Sequence, residues 1–181
     1  MGSYYYFMAQ LPFLVYEQKP PMSSGAFKEL AETLMSEDDA ALLGCLSLEP
    51  EASADASAGC DFIDGWREWE SALRLNLAKH RANSIKRDVF TVEPPFIPAD
   101  AVSAAAKALT GEGNPLDAEI FLDKMRWNVI DALAGGEYFS RNQAFAYFLK
   151  LLLLERREAF NTGRGFSEYK SLYAEIIGEY T

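Results

Sequence analysis

Residues 114–158 read NPLDAEIFLDKMRWNVIDALAGGEYFSRNQAFAYFLKLLLLERRE, and this stretch decides the fold class. Asn114 followed by Pro115 is a helix start. The asparagine side chain can accept from the free N–H groups of the first turn, and proline suits the first helical position because its missing donor would have no partner there. Behind this start, Leu116, Ile120, Trp127 and Ile130 make one apolar stripe, with Leu122, Met125, Val129 and Leu133 beside it. Gly135-Gly136 stops that helix. Ser140-Arg141-Asn142-Gln143 has the form of a capping box, and the helix it opens is apolar all round from Ala144 to Leu154 apart from Lys150. Such a helix is either central in a core or half-covered by a partner. The run is too short to span a bilayer.

Outward from there, helical periodicity recurs. Phe27, Leu30, Ala31, Leu34 and Met35 form one stripe, and Ser36 caps a second helix whose first turn is Glu37-Asp38-Asp39. Asp64 to about Ile85 predicts a long helix with Trp66, Trp69, Leu73, Leu77 and His80 on one face, and with Glu70 four residues before Arg74. Ala99 to Leu109 predicts an alanine-rich helix. A last one, from Ser167 to Gly178, is expected to bury Tyr169, Leu172, Tyr173, Ile176 and Ile177. Residues 47–60 have the composition of a flexible loop, and residues 90–98 are a proline-rich connector. The expectation is an all-α protein: a compact bundle of about seven helices in one domain over residues 1–181, or in two lobes joined at 90–98. Its N-terminus is expected to be extended, aromatic and proline-rich.

Composition narrows the function. The chain has 181 residues, 49% of them hydrophobic, enough for a sizeable core. Lys and Arg total 17 against 27 Asp and Glu, a formal charge of −10, which argues against nucleic-acid binding and against a polybasic membrane anchor. One histidine excludes di-iron bundles and zincins, and Cys45 and Cys60 form no C-x-x-C pair. Neither Gly111-Glu112-Gly113 nor Gly163-Arg164-Gly165 makes a phosphate loop, and no nucleophile elbow occurs. No catalytic, cofactor-binding or metal-binding set emerges, and the chain reads as soluble and cytoplasmic without direct membrane insertion. An alternative reading, a small α-helical enzyme or ligand-binding protein, draws on His80, the two cysteines and the abundant carboxylates. His80 itself reads as a core histidine. Asp117, Glu119, Asp123 and Asp131 read as the solvated side of their helix.

Interface candidates come from surplus aromatic and arginine content. Tyr4, Tyr5, Tyr6 and Phe7 cannot all point inward. Trp69 with Arg74, and Arg126 with Trp127, set residue types common in binding hot spots beside one another. Each pair reads as core plus salt bridge or as partner anchor.

Four stretches together resemble a known family: Tyr4-Tyr5-Tyr6-Phe7 running to Leu11-Pro12; Lys19-Pro20-Pro21 followed by Ser23 and Phe27; Trp66 through Leu73-Arg74; and Asn114-Pro115-Leu116 leading to Asp123-Lys124-Met125-Arg126-Trp127-Asn128. They are similar to an uncharacterised bacterial domain family encoded among the genes of V/A-type ATPases. The analogy is to the C-type socket of those machines, the all-helical part that seats the rotor stalk on the membrane ring. The resemblance implies a non-catalytic assembly or central-stalk component. Such a component contributes to coupling ATP hydrolysis or synthesis with proton or sodium transport. It implies the rotor stalk or the membrane ring as partner, and a cytoplasmic location peripheral to the inner membrane. A full socket of this type is longer and built from repeated helical lobes, so a chain of this length would supply part of it. No functional residues carry over.

Overall fold

The computed structural model describes residues 4–49, 57–87, 98–110, 114–160 and 167–173, and every regular element among them is helical. The chain is an all-α bundle: α1 Tyr5–Ala9, α2 Ser24–Leu34, α3 Glu37–Gly44, α4 Asp61–Ser84, α5 Ala99–Thr110, α6 Pro115–Ala134 and α7 Arg141–Ala159. Residues 167–173 are helical as well. No helix among the described residues is long and apolar enough to cross a membrane.

The all-round apolar helix is the axis of the core. α7 buries Phe145, Phe148, Leu149, Leu151 and Leu153, each worth about 1.5–3 kcal/mol against exposure. It packs on α6 and α2, while Phe145 meets Phe62 of α4 at a ring separation of 6.0 Å. Phe148 stacks on Phe27 of α2 at 5.6 Å, and Phe27 in turn meets Phe7 at 5.4 Å. α4 carries α5 and α6 on its other side, and one continuous core links residues from Phe7 to Leu154. α4 and α6 approach closely at Gly65, where a Cβ would come within 2.9 Å of Leu133 Cδ2.

Several local expectations change in the structure. Tyr5–Ala9 is a helical turn, and residues 10–22, between α1 and α2, are irregular chain with a turn at Tyr16 and Glu17. α4 begins at Asp61, three residues before the expected Asp64. Asp64 instead braces the turn ahead of α4, accepting from the Ala58 N–H at 2.7 Å and the Ser57 hydroxyl at 2.5 Å. Burial pushes the Asp64 carboxyl upward, but these two bonds, with the nearby Arg67 charge and the Cys60 backbone, outweigh it and hold the group below the usual carboxylate range.

The reciprocal capping box is at Asn114 and Asp117. At α7 only half of one forms: Ser140 accepts from the Gln143 N–H, but the Ser140 N–H donates to the Glu137 carbonyl. The Ser140 N–H is therefore not available to the Gln143 side chain, and the reciprocal half of the box does not form.

His80 is exposed near the end of α4, outside the core expected for it. Residues 167–173 are exposed throughout, so the expected burial of Tyr169, Leu172 and Tyr173 does not occur; Ile176 and Ile177 lie outside the described residues. So do residues 50–56 of the expected loop and 90–97 of the expected connector.

Candidate functional site

Two places gather the residue types that recognition and chemistry use. One is a buried seam of charge between α4, α6 and α7. Arg126 grips Glu70 with both arms of its fork, Nε to Oε2 at 2.9 Å and Nη2 to Oε1 at 3.0 Å, and sends Nη1 to Asp123 at 2.9 Å. Glu70 also accepts from Arg74 Nε at 2.9 Å. Asp123 also accepts from Arg156 Nη1 at 3.3 Å, and Arg156 Nη2 reaches Glu119 at 2.7 Å. From Arg74 to Glu119 the signs alternate and cancel. Glu70, Asp123 and Arg126 are all buried.

Burial is the largest influence on Asp123 and raises its carboxyl above the ordinary range, only partly offset by Arg156 and Arg126. Burial pulls the Arg126 guanidinium the other way, but Glu70 and Asp123 together leave it raised. A cavity of about 330 Å³ beside the seam is lined by Arg74, Arg81, Glu119, Arg126 and Arg156 among others. Arg126 spends all three of its nitrogens on carboxylates, so the seam fixes the register of α6 on α4 rather than offering a charge to a ligand.

The other place is an open groove of about 480 Å³ where the N-terminal segment crosses α6 and α7. Trp127 lies along it, held from one side by Lys150 at 4.8 Å from its ring and from another by Tyr16 at 5.4 Å. Lys150 pairs with Asp131. The segment is fastened there by polar bonds: Tyr147 OH donates to the Pro12 carbonyl at 2.8 Å and Tyr16 OH to the Ile120 carbonyl at 3.0 Å. The Tyr4 N–H donates to the Phe139 carbonyl at 2.8 Å, and Tyr5 packs on the Phe139 ring at 4.6 Å. Burial pushes the Tyr147 phenol up to about 12. Gln143, free of capping duty, lines the groove with its Oε1 buried and without a hydrogen-bond partner. Around the groove Phe13 is 89% exposed and Tyr138 73%, large rings left in water.

Of the expected interface residues, Arg74 and Arg126 belong to the seam and Trp127 to the groove, and the others line neither. Phe7, Trp69 and Arg126 are buried in the chain's own interior and offer a partner no surface. Trp69 donates its indole N–H to Asp100 at 2.8 Å, and Arg74 is tied to Glu70 and to the Leu48 carbonyl. Tyr4 is half-buried, its hydroxyl on Asp39 at 2.5 Å. Tyr5 and Tyr6 are exposed, and Trp127 is half-buried along the groove.

The chain matches no family model, no curated protein and no solved structure.

Of the residues that the catalytic alternative draws on, His80 and the two thiols stand apart from one another. Cys60 and His80 stand at opposite ends of α4, about 30 Å apart at 1.5 Å per residue. The Cys45 carbonyl sits against Arg67, thirteen positions from His80 and roughly 20 Å along the same helix. Both thiols are free, Cys45 exposed and Cys60 buried. Among the described residues no three potential ligands converge as a metal site.

Asp123, expected on the solvated side of its helix, is buried. It shares a meridian with Arg126, Ile130 and Ala134, the face that α6 turns inward; of the expected main stripe Ile130 is buried, while Leu116, Ile120 and Trp127 are half-buried. Charges at three- and four-residue spacing from core positions are the available signal, for Glu70 as for Asp123. The groove has no such signal, because Phe13, Tyr138 and Phe139 sit in irregular chain without period.

Proposed function

We propose that this chain is a non-catalytic interaction component that engages another protein through the aromatic groove between its N-terminal segment and α6–α7. The observation that carries the reading is the set of large rings left in water around that groove, Phe13, Tyr138 and Tyr5, while the phenylalanines and tryptophans of α2, α4 and α7 are packed inside. Aromatic anchors beside a half-open apolar depression are the usual core of a binding hot spot. The four stretches resembling a V/A-type ATPase-associated family direct the proposal to a partner: the rotor stalk or the membrane ring of a V-type ATPase, with this chain as part of a C-type socket. Nucleotide chemistry then belongs to other chains of the machine.

Co-expression of the tagged chain with the ATPase operon tests this. Stalk or ring proteins should co-purify with the native chain, and Tyr138→Ser should abolish their capture. Because Tyr138 is so exposed, the same substitution should change folding stability by less than about 0.5 kcal/mol. Purification of the native chain without any ATPase component would defeat the assignment.

A further inference from the structure

The cavity beside the seam shares no lining residue with the groove, and its charges are not all spent on one another. Two helix faces build it with one pattern, charge, leucine, charge at i, i+3 and i+7: Arg74, Leu77 and Arg81 on α4, and Glu119, Leu122 and Arg126 on α6. Gly65 faces Leu133 and Glu70 faces Arg126, so the two helices run antiparallel and Arg81 comes to the Glu119 end. Arg156 lines the cavity from α7, and Leu48 with Glu49 from the chain after α3. That chain is fixed in place. The Leu48 carbonyl accepts from Arg74 Nη2 at 3.0 Å, and the Glu49 N–H donates to Ser47 Oγ at 3.0 Å.

The ion chain accounts for Arg74, Arg126, Arg156 and Glu119, each paired within the seam. Two charged groups of the cavity remain, the Arg81 guanidinium and the Glu49 carboxylate. Both are exposed, and neither side chain makes a hydrogen bond or ion pair among the described residues. One unspent cation and one unspent anion thus share a cavity with three leucines. We infer that this cavity binds a free α-amino acid with an aliphatic side chain. Its carboxylate lies on the Arg81 fork, its ammonium on Glu49, and its side chain against Leu48, Leu77 and Leu122.

Charge and size both favour this ligand. A guanidinium fork matches the two oxygens of a carboxylate, and an ammonium brings three donors to a carboxylate that has none. A simple anion would meet Glu49, and a simple cation would meet Arg81. Four arginines line the cavity with Glu49 and Glu119, and Glu70 and Asp123 lie behind Arg126, so the eight charges cancel. A zwitterion is neutral in the same way and carries both signs on neighbouring groups. A peptide terminus carries only one of them. The volume, about 330 Å³, stands at the small end of ligand sites, which run from about 300 to 1,000 Å³.

Titration calorimetry of the full chain with leucine, isoleucine and valine decides it. Leucine should bind at one site per chain. Leucinamide lacks the carboxylate, isocaproate the ammonium and glycine the side chain, and each should bind at least roughly tenfold more weakly than leucine. Arg81→Gln and Glu49→Gln should each weaken leucine by a similar factor. Because both positions are exposed, neither substitution should move the thermal midpoint of the unliganded chain. No binding by any of the three aliphatic amino acids overturns the inference. So does leucine binding that survives both substitutions. Isocaproate or inorganic phosphate bound as tightly as leucine would overturn it too, because the cavity would then be a plain anion site. Neither variant alters the groove, so capture of ATPase proteins should be unchanged in both, which separates failure of this ligand from failure of the assembly role.

Discussion

The seam and the groove are built from the same residue types and end with opposite characters. Arg126 and Trp127 are neighbours in sequence, yet one closes a buried ion chain and the other lies along an open depression. The difference is about 100° of helix rotation. It turns Arg126 toward Glu70 of α4, where every nitrogen finds a carboxylate, and turns Trp127 toward the edge of the bundle, where Lys150 and Tyr16 cover it only in part. Arginine beside tryptophan is therefore not by itself a binding signature. What matters is whether a neighbouring helix already supplies the complement.

The sharpest way to break this contrast is Arg126→Met. It leaves Glu70 fully buried with only Arg74 for a partner and should cost about 3–5 kcal/mol in denaturant unfolding. Glu70→Leu added to it should recover most of the loss, since the penalty comes from an orphaned charge; no recovery would mean that the ion chain itself is the stabilising element. Next in size is Trp127→Ala. At a half-buried position it should cost about 2 kcal/mol, less than the full loss of a core ring, and a larger cost would place Trp127 with the seam rather than the groove.

The smallest effect belongs to Tyr147→Phe, which removes the bond to the Pro12 carbonyl and should cost about 0.5–1.5 kcal/mol near neutral pH. Its pH dependence is more telling. Below pH 10 both folded and unfolded chains keep the phenolic proton, so the group is silent. Between 10 and about 12 the unfolded chain releases it while the folded one retains it, and stability falls as pH rises through that window. The phenylalanine variant should lose stability less steeply over the same range. Equal slopes would show that the fastening of residue 12 to α7 does not bury the hydroxyl.

Much of the secondary structure is legible in the sequence. Ser36, Asn114 and Ser140 each cap the helix their spacing announces, because capping is settled within three or four residues. The α7 run from Ala144 to Leu154 allows a core or a partner-covered helix, and the flanking phenylalanines of α2 and α4 make it core. Tyr169, Leu172 and Tyr173 have the right period for burial, yet no described residue covers them. Period states which side of a helix is apolar, never what covers it.

Sequence alone determined the helical class, the starts of α3, α6 and α7, and the lack of a recognisable catalytic motif, because each of these depends on neighbours along the chain. The tertiary structure decided which charges are buried, that the Gln143 Oε1 is buried without a hydrogen-bond partner, and where aromatic rings remain in water. Those outcomes depend on groups as far apart as Glu70 and Arg126, or Pro12 and Tyr147, and no local pattern specifies a distance of that kind.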